Sequence, residues 1–212
     1  MNTGKRENIM KVLMLNGSSK PKGNTYQALE EAARILNEQG IETEIFNIGG
    51  GPVRDCIACG QCSEQGCVFT DDKVNDFVAK AKTADGFVFG TPVYYAHPSG
   101  RILSFLDRVF YCGAVDFSGK PGFSIAVARR AGTTASFDVL NKYFAISGMI
   151  QVGSTYWEIA HGLKPGDIQQ DEEGLQTMRN AARYLAWIMK CIEQSGIEKP
   201  EAEHEYHTNF IR

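Results

Sequence analysis

Four cysteines fall within one short stretch, Cys56-Ile57-Ala58-Cys59-Gly60-Gln61-Cys62-Ser63-Glu64-Gln65-Gly66-Cys67, a CxxCxxCxxxxC run. Thiolates are soft metal ligands and redox-active nucleophiles, so a run this dense bears on metal or redox chemistry. Tetrahedral zinc usually draws its ligands from two separated pairs, and these cysteines are crowded for it. Three thiols at successive two-residue gaps suit the corners of an iron–sulfur cubane, as in ferredoxin-like runs. Cys112, after a predicted helix, and Cys191, inside one, read as small apolar residues taken out of water.

Asn16-Gly17-Ser18-Ser19-Lys20-Pro21-Lys22-Gly23-Asn24-Thr25 is a second chemical signal. Gly, Ser, Asn and Thr between a short apolar run and a helix start offer backbone N–H groups, hydroxyls and a positive helix end, which suits a phosphate. GxGxxG is absent, so this is no Rossmann fingerprint. Nor is it a Walker A loop, because the two glycines are wrongly spaced and Asn24 stands where the lysine belongs. The plain alternative is an ordinary polar turn. A third segment, Thr91-Pro92-Val93-Tyr94-Tyr95-Ala96-His97-Pro98, pairs two stiffening prolines with two tyrosines that offer a flat surface to an aromatic ring. Arg129-Arg130-Ala131-Gly132 brings two guanidinium groups, and Tyr156-Trp157-Glu158-Ile159-Ala160-His161 brings an indole and an imidazole.

These segments need a frame. The chain has 212 residues, 43% hydrophobic and 22% charged, as expected of one globular domain with a sizeable core. Its 22 Lys plus Arg against 25 Asp plus Glu give a net charge of −3, with no basic block to recruit nucleic acid or an anionic membrane. No apolar run approaches the ~20 residues of a membrane helix. Lys11 interrupts the only early apolar patch, so no secretion signal is read and a cytoplasmic location is expected. In that compartment cysteines point away from a disulfide framework.

Short apolar runs alternate with amphipathic stretches. Strands are predicted at Val12–Leu15, Ile41–Asn47, Phe87–Phe89, Phe123–Ala128 and Met149–Val152. Helices are predicted over 24–39, 73–83, 99–111, 134–146 and 173–194, each with an apolar stripe at spacings of three and four. Alternation of this kind implies βαβ units: an α/β fold, a doubly wound parallel sheet of five strands covered on both faces in three layers. The expected division is an extension over 1–9, one domain over 10–196 and a polar tail over 197–212. Open parallel sheets bind ligands beyond the carboxyl ends of their strands, where the unusual segments lie.

NGSSKPKGNT after the first strand, followed by DGFVFGTPVYY and SGRILSFLDR, resembles the flavodoxin-like NADPH-dependent FMN reductase family, nearest to its iron–sulfur flavoproteins and their cluster-free relatives. The likeness runs from about Lys11 to Ser195. It implies the flavodoxin strand order 2-1-3-4-5, FMN as cofactor and NAD(P)H as co-substrate. It also implies a small-molecule electron acceptor (a quinone, flavin or azo compound) and a homodimer or homotetramer. It assigns Ser18, Lys20, Asn24 and Thr25 to the FMN phosphate and Pro92, Val93, Tyr94 and Tyr95 to the isoalloxazine border. Arg129, Arg130 and Gly132 fall in its other flavin loop, where Arg-Arg departs from the commoner Gly-rich version. A guanidinium there would stabilise the negative charge that hydride leaves near flavin N1 and O2. For the cysteines the readings are a [4Fe–4S] cluster on Cys56, Cys59, Cys62 and Cys67 passing single electrons to FMN, a free-thiol loop shaping the flavin edge or a dimer contact, and, behind these, zinc or a disulfide. No catalytic residue is assigned, because hydride transfer needs no protein acid or base.

Overall fold

The computed structural model describes residues 9–208 and 210. Apart from Ile9, the expected N-terminal extension lies outside the described residues. Seven strands and five helices follow one another in the order β1 (Lys11–Asn16), α1 (Asn24–Glu38), β2 (Glu42–Asn47), α2 (Val74–Ala81), β3 (Gly86–Tyr94), β4 (His97–Pro98), α3 (Gly100–Tyr111), β5 (Pro121–Ala128), α4 (Thr133–Ile146), β6 (Ile150–Gln151), β7 (Ile159–His161) and α5 (Glu172–Ser195). A short 3₁₀ turn, Asp167–Gln170, precedes α5.

The main strands pair in parallel in the order β2-β1-β3-β5-β6, which is the expected 2-1-3-4-5 path once the small β4 is set aside. Side chains of the central strands alternate between two cores. Val12, Met14, Val88, Ile125 and Val127 face α1 and α5, while Leu13, Leu15, Phe87 and Phe89 face the α2–α4 side. Such two-sided burial explains why these strands read as continuous apolar runs rather than alternating ones. The second core is aromatic: Phe89 stacks on Phe144 at 4.9 Å, and Phe46, Phe77 and Phe105 meet nearly edge to face or tilted.

Two features differ from the sequence expectation. The fifth sheet position is shared: β6 pairs with the start of β5 and β7 with its end. Between them the chain leaves the sheet, so Thr155–His161 is not simply a loop after the last strand but contains one. The segment after Phe89 is also more regular than a stiffened loop. β3 runs on through Pro92, which faces Val127 of β5, and then turns back at Tyr95-Ala96 into β4. Both turn residues have positive φ, 51° and 60°, as a type I′ hairpin demands. After α5, which ends at the left-handed Gly196, the tail to 208 has no regular structure and is exposed.

Candidate functional site at the carboxyl rim of the sheet

From β1 the chain passes through α1 to β2 on one side, then through α2 to β3 on the other. Strand order therefore reverses between β1 and β3, and the crevice beyond their carboxyl ends is the natural ligand position. Gly17 sits at that fork. Its N–H donates to the Gly90 carbonyl at 2.8 Å, and a Cβ there would lie 2.8 Å from Ile102 and 2.9 Å from the Gly90 oxygen. Only glycine admits so close an approach.

Beyond Gly17 the loop is shaped from within. The buried Asn16 side chain accepts from Ser18 N–H at 3.1 Å and donates to Asn47 Oδ1 at 2.7 Å. Ser18 is buried, and its Oγ accepts from Lys20 N–H. Lys20 is exposed, and Thr25 is buried in the first turn of α1. The residue before that helix, Gly23, supplies no side-chain cap, so the first-turn N–H groups are left without one. Asn24 makes its side-chain contacts outside this loop. Its Nδ2 donates to the Lys164 carbonyl at 2.9 Å, and its Oδ1 accepts from Gly166 N–H at 3.0 Å, so the amide ties α1 to the turn before α5.

The β3–β4 hairpin forms the opposite wall. Ser99 fixes it to the first loop: its N–H donates to Thr91 Oγ1 at 3.0 Å and its hydroxyl to the Gly17 carbonyl at 3.1 Å. Tyr94 is half exposed and Tyr95 stands fully in solvent at the tip. Gly132, with φ +89°, precedes α4 and lies so near the hairpin that a Cβ would come within 2.3 Å of Ala96 Cα. Pro92, Val93, Tyr94, Tyr95 and Gly132 thus share one wall, with the exposed Arg129 and Arg130 beside it. Trp157 is half exposed and packs edge-on against Tyr156 at 4.8 Å. His161 is held by Asp171, which accepts from its backbone N–H and lies 3.5 Å from its Nδ1 while also capping α5.

All four cysteines of the run line one narrow hollow of about 10 Å³, together with Ile57, Phe69, Arg108 and Tyr111. All are free thiols, and among the described residues no three side chains are placed to hold a single metal ion. Burial, followed by the neighbouring Cys67, pushes the Cys62 thiol up. The outer wall is the exposed segment with Ile57 and Cys59, where Ala58 adopts a left-handed φ of 50°. The inner wall is rigid. Asn75 accepts from Cys67 N–H at 2.9 Å and donates to the Cys67 carbonyl at 2.8 Å. Arg108, from α3, is 1% exposed; its guanidinium meets Cys67, Asp72 and the carbonyls of Arg54 and Phe69. Burial acts against its charge, but the bonds to Asp72 and Cys67 outweigh that and raise its pKa.

Arg108 and Glu158 had no role in the sequence reading. The signal for Arg108 was a charge beside Phe105 and Val109 on an otherwise apolar helix stripe. Glu158 precedes β7, is 1% exposed and has an Oε1 without a partner among the described residues; desolvation pushes its carboxyl up to about 7. Nothing in its local sequence distinguishes it from a solvated glutamate.

Comparison with known proteins bears on the family and the fold. The model of the family described as NADPH-dependent FMN reductase matches residues 10–164. An iron–sulfur flavoprotein of Methanocaldococcus jannaschii is 34% identical over 194 residues, which span 87% of this chain and 100% of that protein. Another, from Methanosarcina thermophila, is 26% identical over 192 residues, covering 88% and 98%. The solved NAD(P)H:quinone oxidoreductase of Methanothermobacter marburgensis superposes with a TM-score of 0.64 at 19% identity, over 84% of this chain and 97% of that one.

Proposed function

This chain belongs to the NADPH-dependent FMN reductase family and is an FMN-dependent oxidoreductase, and from that premise we propose that it takes hydride from NAD(P)H and delivers electrons to a small acceptor such as a quinone, a free flavin or an azo compound. The observation that carries this reading is the uncapped start of α1 beside two buried hydroxyls, Ser18 and Thr25, at the strand-order reversal. Donors of that kind suit the FMN phosphate, with Lys20 adding positive charge from the solvent side. Asn24 acts here by fixing the neighbouring turn.

FMN supplies the hydride-accepting ring. Around it the chain orients and shields. Pro92, Val93, Tyr94 and Tyr95 would border the ring along the hairpin, which Ser99 and Gly132 hold in place. Arg129 and Arg130, exposed beside that wall, would supply positive charge to the reduced ring, where reduction leaves negative charge near N1 and O2. The exposed rim imposes little shape on an acceptor, which favours a broad one. For the pair of arginines, replacing both with alanine is expected to lower the flavin potential and slow hydride transfer; an unchanged potential and rate would remove them from the reaction.

A specific observation favours a second reading, that of an electron carrier. Cys56, Cys59, Cys62 and Cys67 converge on one hollow, and the archaeal relatives are named iron–sulfur flavoproteins. Four thiols are the donor set of a [4Fe–4S] cluster, which would supply one-electron chemistry. Because the hollow is tight, a cluster would seat by displacing the exposed Ile57–Cys59 wall rather than the wall built on Arg108.

The deciding experiment is an absorption spectrum of anaerobically purified protein, with iron and acid-labile sulfide assayed on the same sample. Flavin bands bleached by NAD(P)H, without iron, support the reductase alone. Added broad absorbance near 400 nm with roughly four irons per chain supports the carrier reading. Protein that stays colourless after FMN addition would sink both.

A further inference from the structure

Helix α3 runs from the flavin rim to the cysteine hollow and grips the excursion between β2 and α2 along one side. Arg101 donates to the Gly51 carbonyl, Ser104 to Asp55, and Arg108 to the inner wall of the hollow. These positions are spaced by three and four, so they share a helix face. Arg108 differs from the other two in kind. It is the largest fully buried side chain among the described residues, and its Nε–H points at Cys67 Sγ across 3.3 Å. Its remaining donors go to Asp72 and to the carbonyls of Arg54 and Phe69, so the guanidinium cannot swing without breaking several bonds at once.

We propose that Arg108 is a positioning residue for the iron–sulfur group of the cysteine hollow: it fixes Cys67 as the preset ligand and, through its Nε–H···S bond, makes that group easier to reduce. The proposal rests on the electron-carrier reading above. Adding one electron forms and breaks no bond, but the added charge spreads onto the ligand sulfurs. An N–H donor aimed at one of them stabilises the reduced form more than the oxidised form, and hydrogen bonds to sulfur are among the main controls of cluster potential. Site geometry sharpens the effect. Arg108 is 1% exposed and Asp72 neutralises its guanidinium, so the directed hydrogen bond rather than net charge sets the difference. Cys62 packs on the same core as Cys67, but neither it nor Cys56 or Cys59 has a comparable side-chain donor among the described residues.

The test is a potentiometric titration with dithionite, followed by electron paramagnetic resonance, on anaerobically reconstituted protein. Arg108→Lys keeps a cation for Asp72 but loses the Nε–H. Ser104→Ala loosens the same excursion without touching a sulfur. The expected result is a midpoint shifted to more negative potential in Arg108→Lys and unchanged in Ser104→Ala, with FMN content and iron content equal to those of the unaltered protein. Equal midpoints in a fully loaded Arg108→Lys overturn the proposal while leaving the cluster reading intact. Absence of iron from the unaltered protein sinks the cluster reading and this proposal with it. Should Arg108→Lys not fold, the unaltered protein reconstituted in D₂O reads the same bond directly. A deuterium shift of the Fe–S(Cys) stretching bands in resonance Raman supports the bond, and bands that do not move overturn it.

Discussion

Folding carries the Glu158 carboxyl from water to a place where its Oε1 meets no donor, and its pKa rises from 4.5 to about 7. The folded state therefore holds this proton more tightly than the unfolded chain does. In sign, that means full compatibility with folding below about pH 4.5 and a penalty that grows until pH passes about 7. A displacement of that size is worth about 3 kcal/mol at pH 8. Glu158→Gln is expected to abolish this part of the pH dependence. Urea unfolding should show the unaltered protein losing about 3 kcal/mol more than the variant between pH 4 and pH 8. Parallel stability curves would show that the carboxyl finds a partner or water after all. Residues of this sort escape a reading of the sequence, because burial is a property of the packed neighbours. Ser18 and Thr25 stood out in the sequence for the opposite reason: they lie next to a strand end and a helix start, and both are buried there.

At the level of elements, the strands and helices of the two-layered core were readable because each buries a stripe or a face with its own period. The places that departed were those where turn chemistry was disguised. Tyr95 and Ala96 occupy a type I′ turn without the usual glycine or asparagine, so a hairpin looked like a proline-stiffened loop. β7 was hidden because Ile159–His161 is only three residues long, too short for a period to show. Asn24 shows how a residue beside the phosphate loop also serves an element. By joining α1 to the turn before α5 it does structural work, whereas Ser18 bonds only within its own loop. Asn24→Ala is expected to destabilise the FMN-free protein by about 1–2 kcal/mol through lost hydrogen bonds. Ser18→Ala should leave that stability nearly unchanged and instead weaken FMN binding several-fold. Chemical unfolding without FMN, set beside fluorescence titration with it, checks both. If Asn24→Ala proves as stable as the parent yet binds FMN poorly, the phosphate role read from the sequence is the right one and the structural one is not.

For the molecule as a whole, every unusual segment lies at one edge of one sheet, and the strand-order reversal explains why. That much followed from alternation alone, because a parallel sheet leaves all its strand-to-helix turns on the same side. The cysteine excursion obeys the same rule, since it too begins at a carboxyl end, that of β2. What alternation could not supply was depth: which of the rim residues are sealed by packing and which stay open. The difference can be measured on the intact protein. A ligand that binds only the folded state adds stability by mass action, about 2.7 kcal/mol at one hundred times its Kd. For a chain of this size each kcal/mol raises Tm by about 2–4 °C, so saturating FMN should raise it by roughly 5–11 °C. Riboflavin offers the same ring without the phosphate. If the α1 start, Ser18 and Thr25 hold the phosphate, riboflavin at the same concentration should raise Tm by only a small fraction of that, and added inorganic phosphate should erode the FMN shift by competing for the loop. Equal shifts from riboflavin and FMN would place the binding energy in the hairpin wall and remove the phosphate from the rim.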